Sequence, residues 1–124
     1  GRTYVIGNDP YKLKLKNDIE SAWYDCKRYF ETKKEITGAE LYSYVSDLAL
    51  DYDWVFGGEI AGHIIGHYPH EKLEKEDKRN YIHPSNHENM FNNDRENRAR
   101  NWILEIHFID KEKKIGGFFE QLLA

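Results

Sequence analysis

Hydrophobic and polar residues change period several times along this chain, and each change marks an element. Arg2 to Gly7 is rich in β-branched and aromatic residues and is closed by Gly7-Asn8-Asp9-Pro10, which reads as a strand ending in a turn. From Pro10 the period becomes helical: Leu15, Ile19, Ala22, Trp23, Cys26 and Phe30 share one stripe. Pro10 suits the first turn of that helix, where its missing N–H costs nothing. Cys26 lies on the stripe, so its thiol is expected to be buried and inert. Thr37 and Glu40 then fit a capping box, with Ile36 and Leu41 at the staple positions, and Leu41, Tyr44, Val45 and Leu48 form a second stripe. Two amphipathic helices joined by a short turn are expected to lie antiparallel on one face of a sheet. Gly57-Gly58 stops regular structure after Trp54-Val55-Phe56.

The stretch from Lys72 to Arg100 is polar, charged and poor in apolar period. It is expected to be a long surface excursion with little regular structure, a kind of segment that is usually functional or mobile. The end of the chain carries the clearest β signal. Trp102 to Ile109 and Ile115 to Leu123 read as two strands, with Asp110 to Lys114 as the turn of a terminal hairpin. The fold class is therefore α+β: an antiparallel sheet with two helices on its outer face, in a single domain spanning residues 1–124.

Strand alternation puts Ile103, Glu105, His107 and Ile109 on one face and Trp102, Leu104, Ile106 and Phe108 on the other. If Lys111 to Lys114 form a four-residue loop, Asp110 pairs with Ile115, and Glu105 then stands directly opposite Glu120. Opposed Cβ atoms sit about 4.5–5.5 Å apart. Two carboxylates at that distance, on strands otherwise strongly apolar, need a shared proton, a cationic side chain or a metal ion. The alternatives are a slipped register or one Glu turned to solvent.

Composition narrows the function classes. Of 124 residues, 40% are hydrophobic and 15% aromatic, too many bulky rings for a disordered chain. No apolar run approaches the roughly 18 residues a membrane span needs. Eighteen Lys+Arg against 22 Asp+Glu give a net charge of −4, which argues against a nucleic-acid partner. One cysteine excludes an internal disulfide and a Cys-rich zinc site and points to a reducing cytoplasm. The only methionine is Met90, so the chain does not begin at its own initiator and is expected to be a portion of something longer.

The remaining chemistry is concentrated between Gly57 and Glu71. Glycines there let backbone approach a site closely. His63, His67 and His70 supply the commonest nitrogen ligand. His63 and His67 have the spacing of one helical face, but Gly58, Gly62, Gly66 and Pro69 argue against a helix. Each of these histidines could equally be a hydrogen-bonded or exposed ring. No nucleophile elbow, phosphate loop or dinucleotide fingerprint is present.

Taken together, these residues resemble the pita-bread metallopeptidases, the superfamily of methionine aminopeptidase, prolidase, aminopeptidase P and creatinase. Arg2-Thr3 looks like the end of the family's Asp-x-Thr-Arg-Thr strand. Gly62-His63-Ile64-Ile65-Gly66, followed by His70-Glu71, is similar to its Gly-His-Gly-Ile-Gly segment and later His-Glu. Glu105 resembles the Thr-x-Glu-Pro glutamate, and Glu120 the last metal ligand. The order holds across nearly the whole chain. The sequence departs from the pattern at Ile64, Ile106 and Glu59, where the family has Gly, Pro and, in proline-specific members, often His.

The resemblance implies the second half of a pita-bread fold, a curved antiparallel sheet with helices outside. It implies divalent ions (Mn, Co, Zn or Fe) held by His63, Glu105 and Glu120. It gives His70 the role of binding substrate and moving protons. His67, which has no clear counterpart, is placed beside His70 as a substrate-binding candidate. Two further aspartate ligands would lie ahead of Arg2, in a first half. The implied function is metal-dependent hydrolysis near the N-terminus of small peptides, of the aminopeptidase or Xaa-Pro type. The alternative is an inactive relative that holds a peptide or protein in the same groove. With three ligands of the family's five, this chain alone is expected to bind metal weakly and turn over peptides poorly. It is also expected to seek a partner, either the first half or a second copy, through its uncovered sheet.

Overall fold

The computed structural model describes residues 2–5, 10–65, 78–93 and 100–123. The strand at the start is β1, Arg2–Val5; the expected extension to Gly7 lies outside the described residues. The helical stripe becomes α1, Pro10–Glu31, and Leu15, Ile19, Ala22, Trp23, Cys26 and Phe30 are all buried. Thr37 caps α2, Gly38–Asp51, with the capping box formed in full: Glu40 N donates to Thr37 Oγ1 at 3.1 Å and Thr37 N donates to Glu40 Oε1 at 3.2 Å.

After the helices come β2, Val55–Phe56; β3, Gly62–Ile64; β4, Trp102–Asp110; and β5, Ile115–Leu122. All pairings are antiparallel. The sheet order is β1-β5-β4-β2, and β3 also pairs with β4. The central β4 alternates as its sequence dictates. Trp102, Leu104, Ile106 and Phe108 are buried in one core with the stripes of α1 and α2, and Ile103, Glu105, His107 and Ile109 take the opposite face. The architecture is thus α+β, with two helices on one face of an open antiparallel sheet.

The three tryptophans tie the layers together because each buried indole N–H needs an acceptor. Trp23 Nε1 in α1 donates to Leu104 O of β4 at 2.8 Å. Trp54 Nε1 donates to Asp18 Oδ2 at 2.8 Å, and Trp102 Nε1 donates to Met90 O at 2.9 Å. Cys26 is fully buried, and that burial pushes its thiol far above the usual range.

The expectation of a surface excursion between Lys72 and Arg100 needs correcting where that stretch is described. Lys78–Asn80 form a single 3-10 turn, and Tyr81, Ile82, Asn86 and Met90 are buried. The segment is held by main-chain bonds to other elements: Ala61 N to Ile82 O, Ile82 N to Gly62 O, Ala39 N to Asn86 O and Met90 N to Ile36 O. Its apolar anchors are spaced irregularly, so no period announces them, and their long-range backbone partners are invisible locally.

β2 and β3 run along the same edge of β4 but are not continuous. Phe56 pairs with Phe108 and Gly62 with Leu104, so five residues, 57–61, oppose three on β4, which makes a bulge. Gly62 ends it at φ +144°, and a Cβ there would lie 1.9 Å from Ile103 O. Only glycine fits this position. Gly62→Ala is therefore expected to cost at least about 2 kcal/mol, more than the roughly 1 kcal/mol expected of Thr37→Ala. Urea denaturation of the two variants checks the ranking. The native thiol of Cys26 should resist a disulfide reagent and react once the chain is unfolded, which a spectrophotometric thiol titration reads directly.

Candidate functional site

The β4–β5 hairpin sets the geometry. Asp110 Oδ1 accepts from Glu112 N at 3.0 Å and Lys113 N at 3.1 Å, closing the loop, and Lys114 adopts φ 53°. The ladder then runs from Asp110↔Ile115 through Glu105↔Glu120 to Ile103↔Leu122. The two glutamates are directly opposed, as the loop count predicts, so the register is not slipped; of the two, Glu120 is exposed to solvent, as the other alternative allowed. On the far side of β5, Arg2 of β1 occupies the register position opposite Glu120.

His63 reaches the same face from the other edge. It pairs with Ile103, the residue two before Glu105, and so shares the Glu105 side of the sheet. The ring is buried, with Nδ1 2.8 Å from Ile64 O. A carbonyl only accepts, so Nδ1 carries the proton and, in the neutral ring, Nε2 holds the lone pair. That is the orientation a ligating imidazole takes when a backbone carbonyl holds its other nitrogen.

The electrostatics register the grouping. Burial pushes the Glu105 carboxyl above its ordinary value, the charge of Glu120 pushes it further, and His63 pulls it back. Glu105 is partly buried while Glu120 is exposed, so desolvation falls on the central strand. The neighbours of the pair on this face include the apolar Ile103, Phe118 and Leu122, together with His107. Among the described residues, no group of three or more His, Cys, Asp and Glu side chains is close enough to hold a metal ion. The donor types suit a divalent ion in kind, as two carboxylates and a neutral imidazole, but they do not converge into a three-ligand centre. His67 and His70 lie outside the described residues.

His107 is two residue pairs further along, opposite Phe118 on the same face, and sequence reasoning did not single it out. It is half-buried, and burial pulls its ring below the usual histidine range. Gly57 leaves room for it: a Cβ there would meet the His107 ring at 3.2 Å and Ile109 Cγ2 at 2.8 Å. The alternation that places Glu105 also places His107, and Gly57, just after β2, was the signal available. A cavity of about 380 Å³ opens at the turn end of the sheet, lined by Leu50, Trp54, Val55 and Ile109, away from the acidic pair.

Among the described residues, no helix is long and apolar enough to cross a membrane. No protein-family model matches the chain, and no curated protein or solved structure matches it.

The raised Glu105 carboxyl has a consequence for stability. The folded state holds this proton more tightly than the unfolded chain, so the contribution is fully present below the ordinary value of 4.5. It is lost as pH rises through the raised folded value. The wild-type chain should therefore lose stability relative to Glu105→Gln as pH climbs from about 4.5 to 7. Urea midpoints of both proteins across that range check this; parallel curves would contradict it.

Proposed function

We propose that this chain is part of a metal-dependent peptidase of the pita-bread kind, in which Glu105, Glu120 and His63, which share one sheet face without converging in this structure, would have to close on a divalent ion. The observation that carries the reading is the direct opposition of Glu105 and Glu120 on an apolar sheet face, with His63 on the same side. A cation is one of the means by which such a pair is relieved. The helices packed on the other face are compatible with the curved-sheet, helices-outside architecture that the resemblance implies.

A divalent ion bound there would polarise a peptide carbonyl and activate a water. Glu105, with its carboxyl held above the usual range, is suited to accept a proton from such a water. The apolar neighbours Ile103, Phe118 and Leu122 favour a peptide side chain over bulk water beside the acidic pair. His70 keeps the substrate-binding and proton-moving role that the resemblance gives it, with His67 beside it.

A second reading uses the same pair without metal. The two carboxylates would hold the cationic amine of a peptide directly, and the chain would be a binding module. The exposed carboxylate of Glu120 and its apolar surroundings suit that ligand as well.

Calorimetric titration with Mn²⁺, Co²⁺ and Zn²⁺ separates the two. The metallopeptidase reading expects saturable binding that weakens at least about tenfold in Glu105→Gln and Glu120→Gln, since losing even an outer partner of a ligand costs that much. It also expects the affinity to fall as the pH is lowered, because protons compete with the ion for the carboxylates. Heats indifferent to both substitutions, together with metal-independent binding of a short peptide, would favour the module.

A further inference from the structure

We propose that the cavity at the turn end of the sheet binds a small organic cation, an alkyl or aryl amine, through an apolar wall and an acidic rim. The site is independent of the reading of the acidic pair. Its walls come from two turns. One is the exit of α2, where Asp53 N donates to Leu50 O at 3.0 Å, Trp54 N donates to Ala49 O at 2.8 Å and Asp53 takes φ 65°. The other is the hairpin turn, closed by Asp110. Between them lies Val55↔Ile109, the outermost pair of the β2–β4 ladder. The cavity measures about 380 Å³, within the roughly 300–1,000 Å³ of small-molecule sites. Its lining residues belong to two segments described without a break, 10–65 and 100–123.

The lining defines the ligand. Leu50 and Val55 are 62% and 42% exposed, and with Ile109 and the buried Trp54 they form an apolar wall that a hydrocarbon group would cover. The indole of Trp54 is held in place by its N–H bond to Asp18. A site built in advance loses little entropy when its ligand arrives. The rim carries three carboxylates, Asp53, Asp110 and Glu112, against one ammonium, Lys111. Asp110 is committed to the turn, whereas Asp53 and Glu112 make no ion pair among the described residues. The site also lies at the C-terminal end of α2, the negative end of the helix dipole. No basic residue stands in the last turn to offset that end, and Asp51 adds a further negative charge. A cation therefore meets rim carboxylates and a helix C-terminus together, while an anion is repelled by both. An apolar wall and an acidic rim in one concave place match an amine that carries a hydrocarbon group.

The test is amide NMR of the full chain at neutral pH and constant ionic strength, titrated with butylamine and benzylamine. Butanol, benzyl alcohol and butyrate serve as controls of similar shape. Saturable shifts at the amides of Leu50 to Val55 and Ile109 to Glu112 are expected with both amines. The alcohols should bind at least about threefold more weakly, and butyrate should not saturate. Asp53→Asn and Glu112→Gln should each weaken the amines about threefold, the size of one exposed ion pair. Asn tolerates the left-handed backbone at position 53, so that variant keeps the turn. Lys111→Gln should tighten binding by removing the competing ammonium. Leu50→Ser, on the exposed helix surface, should weaken amines and alcohols alike, by about fivefold. No saturable shift with either amine would overturn the proposal. So would amine affinities equal to those of the alcohols, or unchanged in both Asp53→Asn and Glu112→Gln. Shifts confined to the amides around Glu105 and Glu120 would also overturn it, since they belong to the other site.

Discussion

The register of the β4–β5 hairpin is the constraint on which the rest of the structure depends. Side chains on a strand alternate with a period of two, so a slip of one residue would turn the buried row Trp102, Leu104, Ile106 and Phe108 out of the core. The same slip would part Glu105 from Glu120. Asp110 prevents it by accepting two main-chain N–H groups of the turn. One carboxylate therefore fixes both the core and the acidic pair. The strong apolar pattern of β4 reinforces it, since only one register buries that row under α1 and α2.

A second constraint acts on the opposite edge of β4. Five residues of the β2–β3 edge must pass three of β4, and the surplus is absorbed as a bulge that ends at Gly62. The left-handed backbone there is what lets His63 rejoin the sheet in register with Ile103, and so on the Glu105 face. Tyr42 OH of α2 donates to Gly58 O inside the bulge at 2.7 Å, so the helix layer steadies the irregular edge. The histidine and the acidic pair come together because a strained backbone position and a regular ladder meet on the same central strand.

The opposition of like charges on an apolar face is the feature with most bearing on function. Sheets avoid directly opposed carboxylates because each raises the cost of ionising the other. The upward push on Glu105 expresses that cost, and His63 offsets part of it. Under the proposed reading, a divalent ion or an amine bound there would relieve that cost. The Arg100–Glu88–Arg79 cluster is the converse arrangement, with two cations around one carboxylate.

The sequence by itself determined whatever depends on local period and capping. The α1 stripe, the Thr37–Glu40 box, the hairpin turn and the Glu105–Glu120 pairing all follow from spacings of a few residues, where neighbours along the chain are neighbours in space. The burial of Cys26 followed from its place on the stripe. Residues 78–93 were not legible, because Tyr81, Ile82 and Met90 bury against distant elements with no period, and Asn86 reads as a loop residue until Gly38 and Tyr81 close around it. Nor could the sequence place His63 against Ile103, since the number of residues a bulge absorbs is set by the partner strand. Arg100 looked like one more charge in a polar run, and only tertiary packing against Glu88 buried it. Local order is written in nearest neighbours; the joining of edges, bulges and buried charges is decided by contacts between residues far apart in the chain, whose energies no local pattern records.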